Sequence, residues 1–382
     1  MKIGLIGAGR LGICFALLCE EAGYEVVVSD IREDYVESLN NREILTNEPE
    51  VSSLLKSAKN FRATTSNKEV IDECDLIYTL VATPSLPDGS YNVSSVWDVV
   101  KSFEGVTSKK SFVVGCTTNP GDCDKFAKEL PDNIEIYYNP EFIAQGSIIN
   151  DLRNADMVLL GSDSQRTSEE TILKIKELYG KIQISEENVY VMSNTAAELT
   201  KIAVNCYLTT KISYANMVGD ILRRSGCGDE IDNVLNSIGD DSRVGKKYLK
   251  YGYGYGGPCL PRDNRAFAAY AKSLGLNHNL GFVTDEINNQ HAKYLCDYFE
   301  SVGEGVFYFD YVTYKKDCDI ITESQQLLLV KNLLDRGHRV YIKSDNRVIH
   351  QIRDDLYHRY GERVRFVDGK NSIKEKFYEV DL

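Results

Sequence analysis

Residues 251–263 read YGYGYGGPCLPRD, which surrounds one thiol, Cys259, with four glycines, three tyrosines and two prolines and closes on Arg262 and Asp263. Glycine at this density belongs where backbone takes positive φ or approaches something closely, so the segment is neither a regular helix nor a regular strand. A thiolate there can add to an aldehyde, and the thiohemiacetal can surrender a hydride to leave a thioester. That chemistry needs a hydride acceptor. The chain opens with MKIGLIGAGRLG, where Gly7, Gly9 and Gly12 form GxGxxG after an apolar run and at the head of a helical pattern, and Asp30 ends the next strand, EVVVSD. In this strand, turn, helix, strand context the pattern is a dinucleotide signature, with glycines letting backbone approach a pyrophosphate at a helix N-terminus and the acid meeting ribose hydroxyls. A carboxylate at Asp30 repels a 2′-phosphate and favours NAD; Arg32, two residues on, would tolerate that phosphate. A nicotinamide cofactor beside a glycine-wrapped thiol points to oxidation at the aldehyde level.

These groups need a scaffold. A chain of 382 residues with 43% hydrophobic content predicts two or three folded domains. No run of about 18 apolar residues appears, and Met1 leads straight into KIGLIGAG, so a soluble, cytoplasmic protein with neither a membrane span nor a secretory signal is expected. The ten cysteines lie in apolar segments such as GICFALLCEE without CxxC spacing, which predicts reduced, buried thiols and no metal site. A net charge of -13 argues against nucleic acid as a partner, because such binding rests on phosphate neutralisation. An anionic small ligand must then find a local basic pocket.

After the first βαβ unit, the apolar runs CDLIYTLVATP, KSFVVGCTT, IEIYYNPE and ADMVLLGS alternate with helix-capable segments, as in a parallel doubly wound sheet. From Asn194 to Ser225 helical periodicity continues with no proline and no glycine before Gly219, which predicts one long helix. A helical stretch then runs to about residue 300. EGVFYFDYVTY, SQQLLLVKNLLDRG and HRVYIKS repeat the strand, helix, strand order at the C-terminus. The expected fold is α/β: two Rossmann-like parallel-sheet domains, 1–193 binding NAD and 301–382 binding a sugar nucleotide. A long central helix and a helical middle domain, 194–300, carrying the cysteine loop, would join them.

Seven ordered segments resemble motifs of the nucleotide-sugar dehydrogenase family, in its UDP-glucose 6-dehydrogenase branch. They are GAGRLG with Asp30; VATPSLPDGSYN, similar to VxTPxxxDG; CTTNPG, similar to STVPxG; NPEFIAQG, similar to NPEFLxEG; AELTKIAVNCYLTTKISYAN, similar to AExxKYxxNxxLAxKIxxxNE; GYGGPCLPRD, similar to GxGGxCxPKD; and YKKDCDIITES, similar to FKxDTDDxRES. The resemblance covers nearly the whole chain. It implies four-electron oxidation of a sugar C6 alcohol to a carboxylate with two NAD⁺, Cys259 acting as nucleophile. It implies that Lys201 and Asn205, four apart on one helix face, meet the reacting oxygen. Asp263 would position a catalytic water, Thr118 would bond that water or the cofactor, and Glu141 would be the base for thioester hydrolysis. Implied cofactor contacts are Arg10 and Leu11 at the glycine turn, Thr83, Pro84, Thr118 and Arg262. Implied substrate contacts, besides Glu141, Lys201 and Asn205, are Arg243, Tyr248, Tyr251, Tyr253, Gly256 and Lys315, with Arg243 reaching a neighbouring subunit's substrate in a homodimer built on the long helix.

The chain also departs from these motifs. Gln145 stands where the motif has glutamate, and an amide cannot take up a proton near neutral pH. The long-helix motif ends in SYANM, Thr322 replaces the arginine of RES, and Tyr311 replaces a glycine. The substrate expected first is a UDP-hexose, UDP-glucose above all; GDP-mannose, a UDP-N-acetylhexosamine, or a nucleotide-sugar-binding role without catalysis are the alternatives.

Overall fold

The computed structural model describes residues 1–163, 166–183, 188–303 and 305–382. It divides into two compact units, Met1–Lys201 and Ile202–Leu382. The first is built on eight strands, β1 (Lys2–Ile6), β2 (Glu25–Ser29), β3 (Phe61–Thr64), β4 (Leu76–Thr79), β5 (Lys110–Val114), β6 (Ile134–Tyr138), β7 (Met157–Ser162) and β8 (Asn188–Met192), in the order β3-β2-β1-β4-β5-β6-β7-β8. Strands β4, β5 and β6 are buried along their whole length, as strands covered by helices on both faces must be. Strand order reverses between β1 and β4, and a doubly wound sheet offers its ligand crevice outside the carboxyl ends of such a pair.

One pairing differs from the expected all-parallel sheet: β6 and β7 are antiparallel. The connection between them holds the NPEFIAQG loop and only a six-residue helix, Ile148–Arg153. That helix buries Ile148, Ile149 and Leu152 in the core it shares with Phe15. So short a helix does not carry the chain back along the sheet, as a parallel crossover would require. Strands β3 and β8 were not foreseen, since β3 has four residues and every residue of β8 keeps some exposure.

Glu135 of β6 ties the far side of this unit together. Its Oε2 accepts from the hydroxyls of Ser111 (3.1 Å), Tyr137 (3.0 Å), Ser168 (3.2 Å) and Thr171 (2.8 Å), and Oε1 pairs with Lys109 at 2.8 Å. Burial pushes this carboxyl up, but Lys109 and the hydroxyls outweigh it and bring its pKa down to about 2. A depressed carboxyl stabilises the fold above its unfolded value of 4.5, and that contribution disappears as pH falls toward about 2. Glu135→Gln should cost about 2 kcal/mol at pH 7, after discounting for the exposed Lys109. The difference from native protein in denaturant titrations should shrink below pH 4.5; a constant difference from pH 7 to 3 would contradict this.

The second unit carries β9 (Val306–Phe309), β10 (Val340–Ile342), β11 (Val364–Phe366) and β12 (Phe377–Glu379), all parallel, in the order β11-β10-β9-β12. The helix Gln325–Asp335 lies between β9 and β10 in sequence, as expected; β11 and β12, three residues each, are too short to leave an alternation signal. The helical stretch that sequence assigns to a separate middle domain shares this unit's core. Ala215 of the long helix and Leu295, Cys296 and Phe299 of the helix Leu280–Val302 cluster with Phe307, Phe309 and Ile342 of the sheet. The long helix runs from Asn194 to Arg224. Its one glycine, Gly219, faces the Tyr251 ring, which a Cβ there would meet at 2.0 Å. No helix among the described residues is long and apolar enough to cross a membrane.

Candidate active site

In the first unit the three glycines of the turn after β1 have different causes. Gly7 has φ +98°, and a Cβ on it would lie 2.7 Å from the Leu80 carbonyl oxygen; a Cβ on Gly12 would lie 2.0 Å from the Gly7 carbonyl oxygen. Both are required by the chain's own packing. Gly9, at the N-terminal cap of the helix Arg10–Glu21, would meet nothing within 4 Å, so its bare backbone faces open space at a helix N-terminus. That cradle fits a pyrophosphate. Arg10 donates to Gln145 Oε1 at 2.9 Å, Leu11 packs against the core, and Thr83 donates to the Thr117 carbonyl at 2.8 Å beside exposed Pro84.

Asp30 is gripped by its neighbour. Arg32 donates to both carboxylate oxygens, each at 2.8 Å, and the Ala8 amide donates to Oδ2 at 3.2 Å. Burial raises the Asp30 pKa, yet Arg32 outweighs it and holds the group below the ordinary carboxylate value. A ribose must therefore share Asp30 with Arg32. Replacing Asp30 by alanine removes a charge-assisted acceptor and frees the guanidinium for a 2′-phosphate. The NAD-over-NADP ratio of kcat/KM should fall by about tenfold to a hundredfold; native protein that already prefers NADP would overturn this reading of the ribose site.

Thr118 is fully buried and donates its one hydroxyl proton to Glu198 Oε1 at 2.8 Å. Glu198 also accepts from the amides of Gly121 (2.6 Å) and Cys123 (2.9 Å), at the head of the helix Asp122–Glu129. Thr118 can still accept a hydrogen bond from water or cofactor, but its proton is committed. Burial pushes the Glu198 carboxyl up to about 7 despite those donors. Glu198 is missing from the sequence reading, although it stands three residues before Lys201 in AELTK.

Glu141 follows β6. Its Oε1 contacts the Tyr179 hydroxyl, and its backbone carbonyl accepts from Lys201 Nζ at 2.8 Å, while that ammonium sits 4.5 Å from the Phe142 ring centroid. Burial is the largest influence on Glu141 and raises it to about 7, against the pull of the Tyr179 hydroxyl and of Lys201. A carboxyl that titrates near neutrality is suited to a base. Tyr179 lies in an ordinary amphipathic helix, Glu169–Ile182, and no sequence signal marks it.

In the second unit, Cys259 is the N-terminal cap residue of the helix Leu260–Ser273 and is half-buried. A helix N-terminus favours the thiolate. One turn in, buried Asp263 accepts from Asn205 Nδ2 at 2.6 Å, which ties the cysteine's helix to the long one. Arg262 is half-buried beside it. The glycines before the cysteine make room for protein. A Cβ on Gly256 would lie 2.3 Å from the Glu323 carbonyl oxygen, and one on Gly257, at φ +84°, 2.5 Å from the Tyr314 ring. The Gly257 amide donates to the Thr322 carbonyl at 3.1 Å, a bond indifferent to which side chain residue 322 carries. Glu323, another residue absent from the sequence reading, pairs with Arg265 at 2.8 Å from within the ITES segment.

Tyr251 is drawn into the core of the second unit. It is 7% exposed, its hydroxyl donates to Asp220 at 2.9 Å, and its ring meets His291, so it packs as a core residue. Tyr253 is half-buried and packs against the same core, whereas Tyr248, at φ 63°, is 50% exposed. Arg243 is exposed and paired with Asp241 at 2.7 Å, Lys246 pairs with Asp240 at 2.6 Å, and Lys315 is half-buried near the Tyr314 ring. Arg243 and Lys246 are thus balanced by neighbouring acids.

Comparison with known proteins agrees with both halves of this picture. The NAD binding domain of the UDP-glucose/GDP-mannose dehydrogenase family matches residues 1–183, and the central domain of that family matches residues 195–290. The UDP-glucose 6-dehydrogenase AglM of Haloferax volcanii is 30% identical over 358 residues, covering 88% of this chain and 81% of its own. A UDP-glucose dehydrogenase structure from Pyrobaculum islandicum superposes with a TM-score of 0.85 at 26% identity, covering 96% of this chain and 86% of that one. A UDP-D-ManNAc dehydrogenase from Pyrococcus horikoshii shares the fold, with a TM-score of 0.77 at 20% identity over 99% of this chain and 98% of its own. With an NAD cradle at Gly9 in one unit, a cysteine at a helix head in the other, and matches that span both, the chain belongs to the UDP-glucose/GDP-mannose dehydrogenase family.

Proposed function

We propose that the protein oxidises the C6 alcohol of a UDP-hexose, UDP-glucose foremost, to the uronic acid. The observation that carries this reading is Cys259 at the head of a helix whose first turn holds Asp263, bonded to Asn205. A module that only bound nucleotide sugars has no need of that set. When bound at the glycine turn, NAD accepts the hydride at each oxidation. Lys201 and Asn205 steady the C6 oxygen as it loses its proton. The Cys259 sulfur then adds to the aldehyde carbon, the new S–C bond giving a thiohemiacetal whose oxidation leaves a thioester. Glu141 takes a proton from water, the hydroxide adds to the carbonyl, and the S–C bond breaks to release the carboxylate and the thiol. Each turnover converts one alcohol, two NAD⁺ and one water into one carboxylate, two NADH and three protons. Burial raises the Glu141 carboxyl to about 7, into the range where a base can take up and release a proton near neutral pH, which serves this step without a second carboxylate at Gln145.

The names of the relatives support UDP-glucose, while the shared fold of the UDP-D-ManNAc enzyme leaves the sugar to experiment. Initial rates of NADH formation with UDP-glucose, UDP-galactose, GDP-mannose and UDP-N-acetylhexosamines test the reading. The highest kcat/KM is expected for UDP-glucose; a clear preference for another sugar would reassign the substrate, and silence from all would overturn the proposal.

The second unit also offers a surface for a homodimer. Tyr207, Tyr214 and Ile221, seven residues apart on the long helix, are 59%, 42% and 55% exposed, with Met217 beside them. Large apolar groups at that spacing form one stripe along a helix. Tyr214→Glu with Ile221→Glu should halve the mass in sedimentation equilibrium; an unchanged mass would remove this face from the assembly.

A further inference from the structure

Behind Glu141 lies a closed set of hydroxyls that the reaction as written does not use. Asn139, two residues earlier and 2% exposed, is held by its amide nitrogen, Nδ2, which donates to the Leu159 carbonyl at 3.0 Å. A carbonyl can only accept, so the orientation of the side-chain amide is fixed and its Oδ1 must be an acceptor. Two buried phenols face that oxygen, Tyr179 at 2.8 Å and Tyr78 of β4 at 3.3 Å. Tyr179 also contacts Glu141 Oε1. One hydroxyl proton thus has two acceptor neighbours, and it can serve only one at a time.

When Glu141 is neutral, its own O–H donates to the Tyr179 oxygen, and Tyr179 and Tyr78 both donate to Asn139. When Glu141 is ionised it needs a donor, and Tyr179 must turn its proton to the carboxylate. Asn139 Oδ1 then depends on Tyr78 alone. Losing that bond too would leave a buried acceptor unpaired, a costly state. We propose that Tyr179 is a positioning residue for Glu141, its hydroxyl turning between Asn139 and the carboxylate, so that Tyr78, through Asn139, makes the ionised form of Glu141 accessible. This rests on Glu141 being the base of the proposed function. Other titratable groups near Glu141, among the described residues of this unit, are Lys201 on the long helix and Cys19 on the helix Arg10–Glu21, and neither touches Asn139 in the hydrogen-bond set. A rotation of one hydroxyl needs no movement of the packed backbone around it.

The test reads Glu141 directly. Its protonated carboxyl is followed by infrared difference spectroscopy from pH 5 to 9, assigned by its loss in Glu141→Gln, beside pH profiles of kcat for uronate release. Tyr78→Phe does not touch Glu141, yet it should raise the carboxyl titration by about half a pH unit, roughly threefold in proton affinity. The acid limb of kcat should move with it. In a Tyr179→Phe background the same Tyr78→Phe change should have no further effect, because the link to Asn139 is gone. Thermal melts establish that each near-isosteric variant is folded. A titration unmoved by Tyr78→Phe, or moved equally with and without Tyr179, overturns the relay. If the titration behaves as stated while Glu141→Gln releases uronate at the native rate, the relay stands and the base assignment falls.

Discussion

Cys259→Ala and Cys259→Ser proteins should bind NAD and UDP-glucose with native affinity by calorimetry and release uronate at least about 10⁴-fold more slowly. In the proposed mechanism the first oxidation uses Lys201 and Asn205 and does not require sulfur, whereas the second hydride leaves from a carbon that Cys259 must already hold. A hydrated aldehyde offers a slower path, and its trace is what the residual rate would report. The serine variant is the sterner case, since it keeps size and hydrogen bonding at the helix head but lacks a nucleophile that ionises near neutral pH. Product masses decide the matter. An alanine variant that forms carboxylate at the native rate would reduce Cys259 to a packed thiol at a helix cap.

Glu141→Gln should have the second-largest effect, and in two directions. Hydrolysis of the thioester should slow by about 10²- to 10⁴-fold, so that intact-mass measurement after turnover finds the acyl adduct on Cys259. The fold should gain stability at the same time. The Glu141 carboxyl stands at about 7 in the folded chain against an ordinary 4.5, so its ionisation costs stability as pH rises through that window. Removing it should make no difference below about pH 4.5 and stabilise by up to about 3 kcal/mol above pH 7. A base held in this way would serve function at the expense of stability. Unimpaired acid release without an adduct would take Glu141 out of the mechanism.

The sequence exposed this protein unevenly, for physical reasons. The glycine turn, Asp30 and the long helix are local patterns, each dictated by a few neighbouring residues, and they stand where the spacing puts them. The antiparallel entry of β7 depends on how far a short helix can carry the chain, and β11 and β12 are too brief to show a period. The positions of Cys259 at a helix head and of Lys201 and Asn205 on the long helix were legible because their motifs are compact. The burial of Tyr251 was not legible, because Asp220 and His291, 31 and 40 residues away in sequence, draw it into the core. What glycines 256 and 257 clear is space for Glu323 and Tyr314, more than 50 residues downstream, which no local pattern reveals. The contacts of Tyr179 and Glu198 are ones that only tertiary structure brings together.

The central claim is a four-electron oxidation at one sugar carbon through one cysteine. The most direct measurement is the amount of NADH formed per UDP-glucose consumed at completion, with the product identified by mass. The account predicts two NADH for each sugar and UDP-glucuronate as the product, with no free aldehyde accumulating. One NADH per sugar with release of the aldehyde would contradict it.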